Sequence, residues 1–181
     1  MSGLEIAGVK EFAYDSRTDA TARRGLGDVA WARGDISEAK RYYLECLTAF
    51  ENLGTTWGIV ETSNRLAYLS CQEGLYPAAR DYFKRALTYE SESWPFVIDC
   101  FAGIALLLAR TGAPELAAEL LGLARKHPAT ERQTLVRRVE PLLAELAATL
   151  PPSDLAAALM RGKELNIETL AADVLALLSA A

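Results

Sequence analysis

The sequence lacks the features that usually indicate catalysis or metal binding. It has one histidine, and its cysteines, Cys46, Cys71 and Cys100, form no CxxC pair. Common zinc sites need closely spaced Cys and His ligands, so no metal site and no cofactor are predicted. His127 has no Ser, Cys or carboxylate partner at useful spacing. We therefore predict that the protein is not an enzyme and that His127 only complements a helix dipole.

Positive charge and long apolar runs are also scarce. Lys and Arg total 19 against 24 Asp and Glu, for a net charge of −5, so the basic surface typical of nucleic-acid binding is missing. The apolar run 101–109 is less than half of the roughly 20 residues that span a bilayer. Residues 1–20 show no secretory signal. We expect no direct nucleic-acid or membrane contact, and a cytoplasmic protein with buried, reduced thiols.

Helical periodicity is what the sequence has in abundance. Apolar residues recur three and four positions apart, which predicts helices at 19–33, 36–53, 56–73, 76–91, 95–110, 114–127, 130–149, 153–162 and 166–179, with a short one at 3–14. Gly34, Gly74 and Gly112 are predicted to end helices in the left-handed conformation. Ser153 and Asn166 are predicted N-caps. The fold class is therefore all-α.

One phrase occurs three times along the chain. GDISEAKRYYLECL at 34–47 is echoed by GLYPAARDYFKRAL at 74–87, an offset of 40 (74 − 34), and by GAPELAAELLGLAR at 112–125, an offset of 38 (112 − 74). Each copy has Gly, then Ala, then a large apolar residue, then a small one. Such a fixed period indicates stacked helical hairpins that bury one continuous core.

These residues resemble the tetratricopeptide repeat, whose usual period is roughly 34 residues. The resemblance implies a right-handed α-solenoid of about three hairpins with a C-terminal helical cap. Residues 1–17 would be an N-terminal extension, 18–128 three repeats, and 129–181 the capping helices.

The longer period and two further phrases resemble the C-terminal arms of bacterial STAND-type regulators, which often carry a LuxR-type DNA-binding domain. The phrases are LGTTWGIVETSNRLAYL at 53–69 and the closing segment LPPSDLAAALMRGKELNIETLAADVLALL at 150–178. The ATPase signature GxxxxGK[ST] is absent from this sequence. The resemblance implies the sensor or interaction arm of a transcriptional regulator, or a free-standing relative of it.

The first helix of each hairpin is expected to line a concave groove, as the resemblance implies. Side chains three, four and seven positions apart share one face of such a helix. The candidate partner groove consists of Arg24, Asp28, Trp31, Glu61, Asn64, Arg65, Tyr68, Gln72, Asp99, Leu106 and Arg110. Trp31 and Tyr68 could instead pack between neighbouring helices, and that alternative stays open. Arg132, Arg137 and Arg138 are interleaved with acids and are expected on a solvated helix face.

This pattern predicts a non-enzymatic module that binds a protein, a peptide or a small effector. Arginine and aromatic side chains on one surface are typical anchors for such partners. The alternative is a structural or oligomerisation scaffold whose groove or end face binds another copy of the chain, so a homodimer is also left open.

Overall fold

The computed structural model describes the backbone of residues 3–89 and 94–180, with side chains from residue 16 onward. Helices dominate this part of the chain, and it contains no β-strand, which confirms the all-α class. The first six helices are α1 (Gly3–Ala32), α2 (Ile36–Asn52), α3 (Thr56–Gln72), α4 (Tyr76–Thr88), α5 (Trp94–Arg110) and α6 (Pro114–Lys126). Then come α7 (Arg132–Thr134), a π-helical turn (Leu135–Val139), α8 (Glu140–Thr149), α9 (Pro152–Glu164) and α10 (Ile167–Ala180).

Glycine turns separate the helices where the sequence predicts them. Gly34, Gly74 and Gly112 have φ of 81°, 73° and 93°. In each turn the residue after the glycine donates a backbone hydrogen bond to the carbonyl five positions earlier, as in Asp35 to Ala30 at 3.0 Å. This bond satisfies a carbonyl that the helix end leaves free, and the left-handed glycine makes it possible.

Two predicted details of the helix boundaries are wrong. The segments 3–14 and 19–33 form one helix, α1, because residues 15–18 contain neither Gly nor Pro to interrupt it. Ser153 lies inside α9, which begins at Pro152, because proline is preorganised for the first helical position. Asn166 does cap α10, since its Oδ1 accepts from the Glu168 N–H at 2.8 Å. Residues 90–91 of the predicted fourth helix lie outside the described residues.

The repeated positions of the three phrases are core positions. The Ala, large-apolar and small slots are all buried: Ala39, Ala79 and Ala117; Tyr43, Phe83 and Leu121; Cys46, Ala86 and Ala124. Glycines allow close helix contacts both within and between hairpins. Within the first hairpin, a Cβ on Gly27 of α1 would meet the Tyr43 ring of α2 at 2.6 Å, and between the second and third, one on Gly103 of α5 would meet the Phe83 ring of α4 at 2.5 Å. From α1 to α6, consecutive helices pack against each other, and α3 also contacts α5.

The C-terminal helices fold back over the earlier ones. Helix α9 crosses α6 with backbone in contact with backbone, since a Cβ on Gly122 would lie 2.6 Å from the Leu159 carbonyl oxygen. Gly162 approaches the carbonyl of Glu119 from the other helix. Helix α10 packs against α4, and its buried side chains are Ile167, Leu170, Val174 and Leu178.

Candidate functional site

A cleft of about 580 Å³ lies between α1, α3, α5 and the segment from residue 131 to residue 145. It contains most of the predicted groove residues: Asp28, Trp31, Glu61, Arg65, Tyr68, Gln72, Asp99, Leu106 and Arg110. The spacing that places these residues on one face of each helix therefore also brings them together in space. Arg24 and Asn64 are the predicted residues that do not line the cleft.

Trp31 belongs to α1, the first of the four walls of the cleft, and contacts side chains of α2 and α3. Its Nε1 donates a 2.8 Å hydrogen bond to Oε1 of Gln72 on α3. Its ring meets the edge of Tyr43 and the tilted ring of Tyr68, both at 6.4 Å between centroids. The indole is half-buried, so it both packs between helices and presents one surface to the cleft.

A chain of alternating charges joins α1 to α3. Asp28 accepts from the Tyr43 hydroxyl at 2.6 Å and from Arg65 Nε at 2.7 Å. Arg65 also pairs with Glu61 at 3.0 Å, and Glu61 pairs with Arg24. Burial and the nearby Arg65 lower the pKa of Arg24. Because each charge has an opposite neighbour, this wall presents little net charge to a ligand.

The floor of the cleft is an ion pair stacked on an aromatic ring. Asp99 accepts from Asn64 Nδ2 at 2.6 Å, from Thr134 Oγ1 at 2.9 Å and from Arg138 at 2.6 Å. The guanidinium of Arg138 lies 3.6 Å from the centroid of the Tyr68 ring. Burial raises the pKa of the Tyr68 hydroxyl well above its usual range. Asp99 thus holds α3, α5 and the π-helical turn together.

Tyr68 is 5% exposed, so it follows the alternative that the sequence left open and packs between neighbouring helices. Helix α3 contacts α2, α4 and α5, so almost every face of it is covered. Asn64 is buried for the same reason. Arg24 forms an ion pair with Glu61, and its guanidinium lies 5.8 Å from the centroid of the Trp57 ring.

The fourth wall, from α7 to α8, is the part that sequence reasoning missed. Arg132 and Arg137 are exposed as expected, but Arg138 is not on a solvated face, since its side chain is 16% exposed. The π-helical turn follows Thr134 directly, and both Thr134 and Arg138 reach the same Asp99 carboxylate. The only sequence signal for this wall was the basic character of residues 132–138.

The rim of the cleft carries its accessible charges. Arg110 pairs with Glu145 at 2.7 Å, and these side chains are 41% and 52% exposed. Arg137 and Gln133 are exposed beside them. Leu106 and the half-buried Phe96 add apolar surface inside the rim. The arrangement therefore suits an extended ligand with an apolar side chain and polar groups around it.

Within the described residues the cleft lining includes no histidine and no serine. The thiol that lines it, Cys71, is buried, and burial raises its pKa to about 12, so it is protonated and a poor nucleophile at neutral pH. His127 caps the end of α6 instead, where its Nδ1 accepts from the Ala129 N–H at 3.2 Å.

Two further observations concern the described residues as a whole. No cluster of three or more His, Cys, Asp or Glu side chains is arranged to bind a metal ion. No described helix combines the length and the apolar character needed to cross a bilayer.

Comparison of the chain with protein-family models, with curated proteins and with solved structures finds no match. The resemblance to tetratricopeptide repeats therefore depends on the residues of the repeated phrases.

Proposed function

We propose that the chain is a tetratricopeptide-like α-solenoid that binds a protein or peptide segment in the cleft and catalyses no reaction. Support for the repeat comes from the equivalent positions of the three phrases, which are buried in all three copies. Each hairpin then contributes its first helix to the cleft wall, and the C-terminal helices cover the last hairpin.

The observation that carries this proposal is the composition of the cleft. The cleft charges Asp28, Arg65, Asp99 and Arg138 are already paired, Asp28 with Arg65 and Asp99 with Arg138. A ligand with a single strong charge would therefore gain little there, because it would compete with existing ion pairs. The aromatic and apolar surface of Trp31, Leu106 and Phe96 favours a peptide that inserts an apolar side chain.

The exposed rim supplies polar groups that can bind the backbone of the peptide. The Arg110–Glu145 pair and the exposed guanidinium of Arg137 can exchange solvent contacts for hydrogen bonds with a peptide backbone. An ion pair this exposed is worth at most about 1 kcal/mol, so opening it costs little.

The resemblance to regulator arms extends the proposal: the bound segment, or a small effector in its place, would transmit a signal to a transcriptional regulator in the cytoplasm.

A second candidate function is an oligomerisation scaffold. It is favoured by the apolar side chains that α1 exposes on the side away from the cleft, among them Leu26 at 50% and Val29 at 47%. In that case the cleft would remain open, because it lies on the opposite side of α1.

Selection from a displayed random-peptide library tests the cleft directly. Peptides enriched on the wild-type protein are titrated against Leu106→Arg, which places a charge inside the rim. The matched control is Leu75→Arg, because Leu75 is 45% exposed in the turn before α4 and does not line the cleft. We expect Leu106→Arg to weaken binding by about 2 kcal/mol and the control to leave it unchanged.

Two results would contradict the proposal. One is a library that yields no peptide with measurable affinity. The other is a set of peptides that bind Leu106→Arg as tightly as the wild type, since this would place recognition on another surface.

A further inference from the structure

One face of α1 exposes a regularly spaced row of residues. Counting from Asp19, the spacing is three, four, three and four, a pattern that keeps side chains on one narrow stripe of a helix. Leu26 and Val29 are 50% and 47% exposed, and Asp19, Ala22 and Arg33 are also exposed. We call this row the α1 seam: Asp19, Ala22, Leu26, Val29 and Arg33.

The equivalent positions in the other two hairpins are buried. The offset of 40 relates Leu26 and Val29 to Leu66 and Leu69, and both of these are 0% exposed. The offset of 38 leads on to Ile104 and Leu107, at 0% and 1%. Leu66 and Leu69 share a core with the side chains of α2. The seam is therefore an apolar face of the kind that this chain elsewhere covers with a helix.

The other end of the array is already covered. Helix α9 crosses α6 with backbone contact at Gly122 and Gly162, and α8 also contacts α6. A second copy therefore cannot present the face of its last hairpin to the seam. Its own seam is an exposed apolar face, and two identical faces meet about a two-fold axis.

The charges at the two ends of the seam suit that arrangement. Asp19 lies seven residues before Leu26 (26 − 7 = 19), and Arg33 lies seven residues after it (26 + 7 = 33). In an antiparallel pair with Leu26 near the axis, Asp19 therefore faces Arg33 of the partner subunit. Asp19 is 61% exposed and bonded to Arg23 on its own helix. Within the described residues Arg33 is exposed and forms no ion pair.

The seam and the cleft use different faces of α1. The groups that line the cleft, such as Asp28 and Trp31, lie on the opposite side of α1. A contact through the seam would therefore leave the cleft accessible in both copies.

We propose that two copies of this chain associate through the α1 seam as an antiparallel pair with its two-fold axis near Leu26. The inference is independent of the proposed peptide binding, because it uses a different face of α1. It identifies the partner as the chain itself and fixes the register as Leu26 against Leu26.

Sedimentation equilibrium over a wide range of protein concentration tests the association. Leu26→Lys brings two ammonium groups together at the axis, and an unpaired buried charge of this kind should raise the dimer dissociation constant roughly a hundredfold or more. Leu44→Lys is the matched control, because Leu44 is 42% exposed on α2 and is not in the seam. Far-UV circular dichroism confirms that each variant keeps its helices. A wild-type protein that stays monomeric, or a dimer that Leu26→Lys does not weaken, overturns the proposal.

Cysteine cross-linking tests the register. The native thiols are buried and free, so Leu26→Cys introduces the reactive group, and air oxidation should link two copies through it. Val29→Cys should link poorly, because the two positions 29 would lie about 9 Å apart along an antiparallel pair, beyond the reach of a disulfide. Faster linking through Val29→Cys than through Leu26→Cys overturns the proposed register. Asp19→Arg and Arg33→Asp should each weaken the dimer and together restore it, and failure of that rescue overturns the pairing of the two ends.

Discussion

Replacing Asp99 by Ala is expected to destabilise the fold by about 3 kcal/mol. The change removes an acceptor that joins α3, α5 and the π-helical turn through three hydrogen bonds of 2.6–2.9 Å. It also leaves Arg138, which is 16% exposed, without its counter-charge. Breaking a fully buried ion pair from one side costs roughly 3–5 kcal/mol, and partial exposure places this pair at the lower end.

Urea unfolding followed by circular dichroism measures this cost. Glu145→Ala is the control in the same cleft, since its pair with Arg110 is exposed and should contribute less than about 1 kcal/mol. Arg138→Met tests the coupling: combined with Asp99→Leu it should cost roughly 1–3 kcal/mol less than the sum of the two single changes. An Asp99→Ala cost no greater than that of Glu145→Ala, or additive effects of Asp99→Leu and Arg138→Met, would contradict this prediction.

Three further changes follow from packing and burial. Gly103→Ala should cost roughly 1–3 kcal/mol of stability in thermal unfolding, since its Cβ would lie 2.5 Å from the Phe83 ring. The control Gly25→Ala should be neutral or stabilising, because a Cβ there would have nothing within 4 Å. Equal effects of the two substitutions on stability would contradict this. Ala79→Leu should also cost roughly 1–3 kcal/mol, because Ala79 is fully buried, and a neutral result would mean that the repeat register is wrong. Burial raises the thiol pKa from 9.0 to about 11 for Cys46 and about 12 for Cys71, and it raises the pKa of Cys100 further still. Thiols in the unfolded chain therefore lose their protons at a lower pH than those in the folded protein. The free energy of unfolding should accordingly fall as the pH rises above about 9. Ellman's reagent should accordingly label the native protein only as it unfolds, whereas rapid labelling would show accessible thiols at Cys46, Cys71 or Cys100.

The helices and their turns could be predicted because their causes are local. A glycine such as Gly74 ends a helix through its own backbone freedom, and the repeated Ala and large-apolar slots mark the inside of each hairpin. The face of the cleft that α1, α3 and α5 share could be predicted for the same reason, since side-chain spacing on a helix determines which residues point the same way.

The fourth wall could not be predicted, because its partners are far apart in the chain. Arg138 pairs with Asp99, 39 positions away, and no periodicity connects the two. Interleaved acids such as Glu140 made the basic segment look like a solvated surface. The sequence left the burial of Tyr68 open for a related reason: α3 also buries Thr62 and Ser63, so the polar residues on it do not reveal which faces are covered.

The return of α10 to α4 has a consequence for how the molecule opens. An array in which each hairpin contacts only its neighbours can unfold from either end. Here α10 connects the end of the chain to its second hairpin, so α4, α5, α6 and the C-terminal helices share one core, whereas most of the α1–α2 core is separate from it. Amide hydrogen exchange should therefore resolve two cooperative units. The α1–α2 amides should exchange through a partial opening of lower free energy, and those of α4–α6 should exchange only when the whole C-terminal unit unfolds.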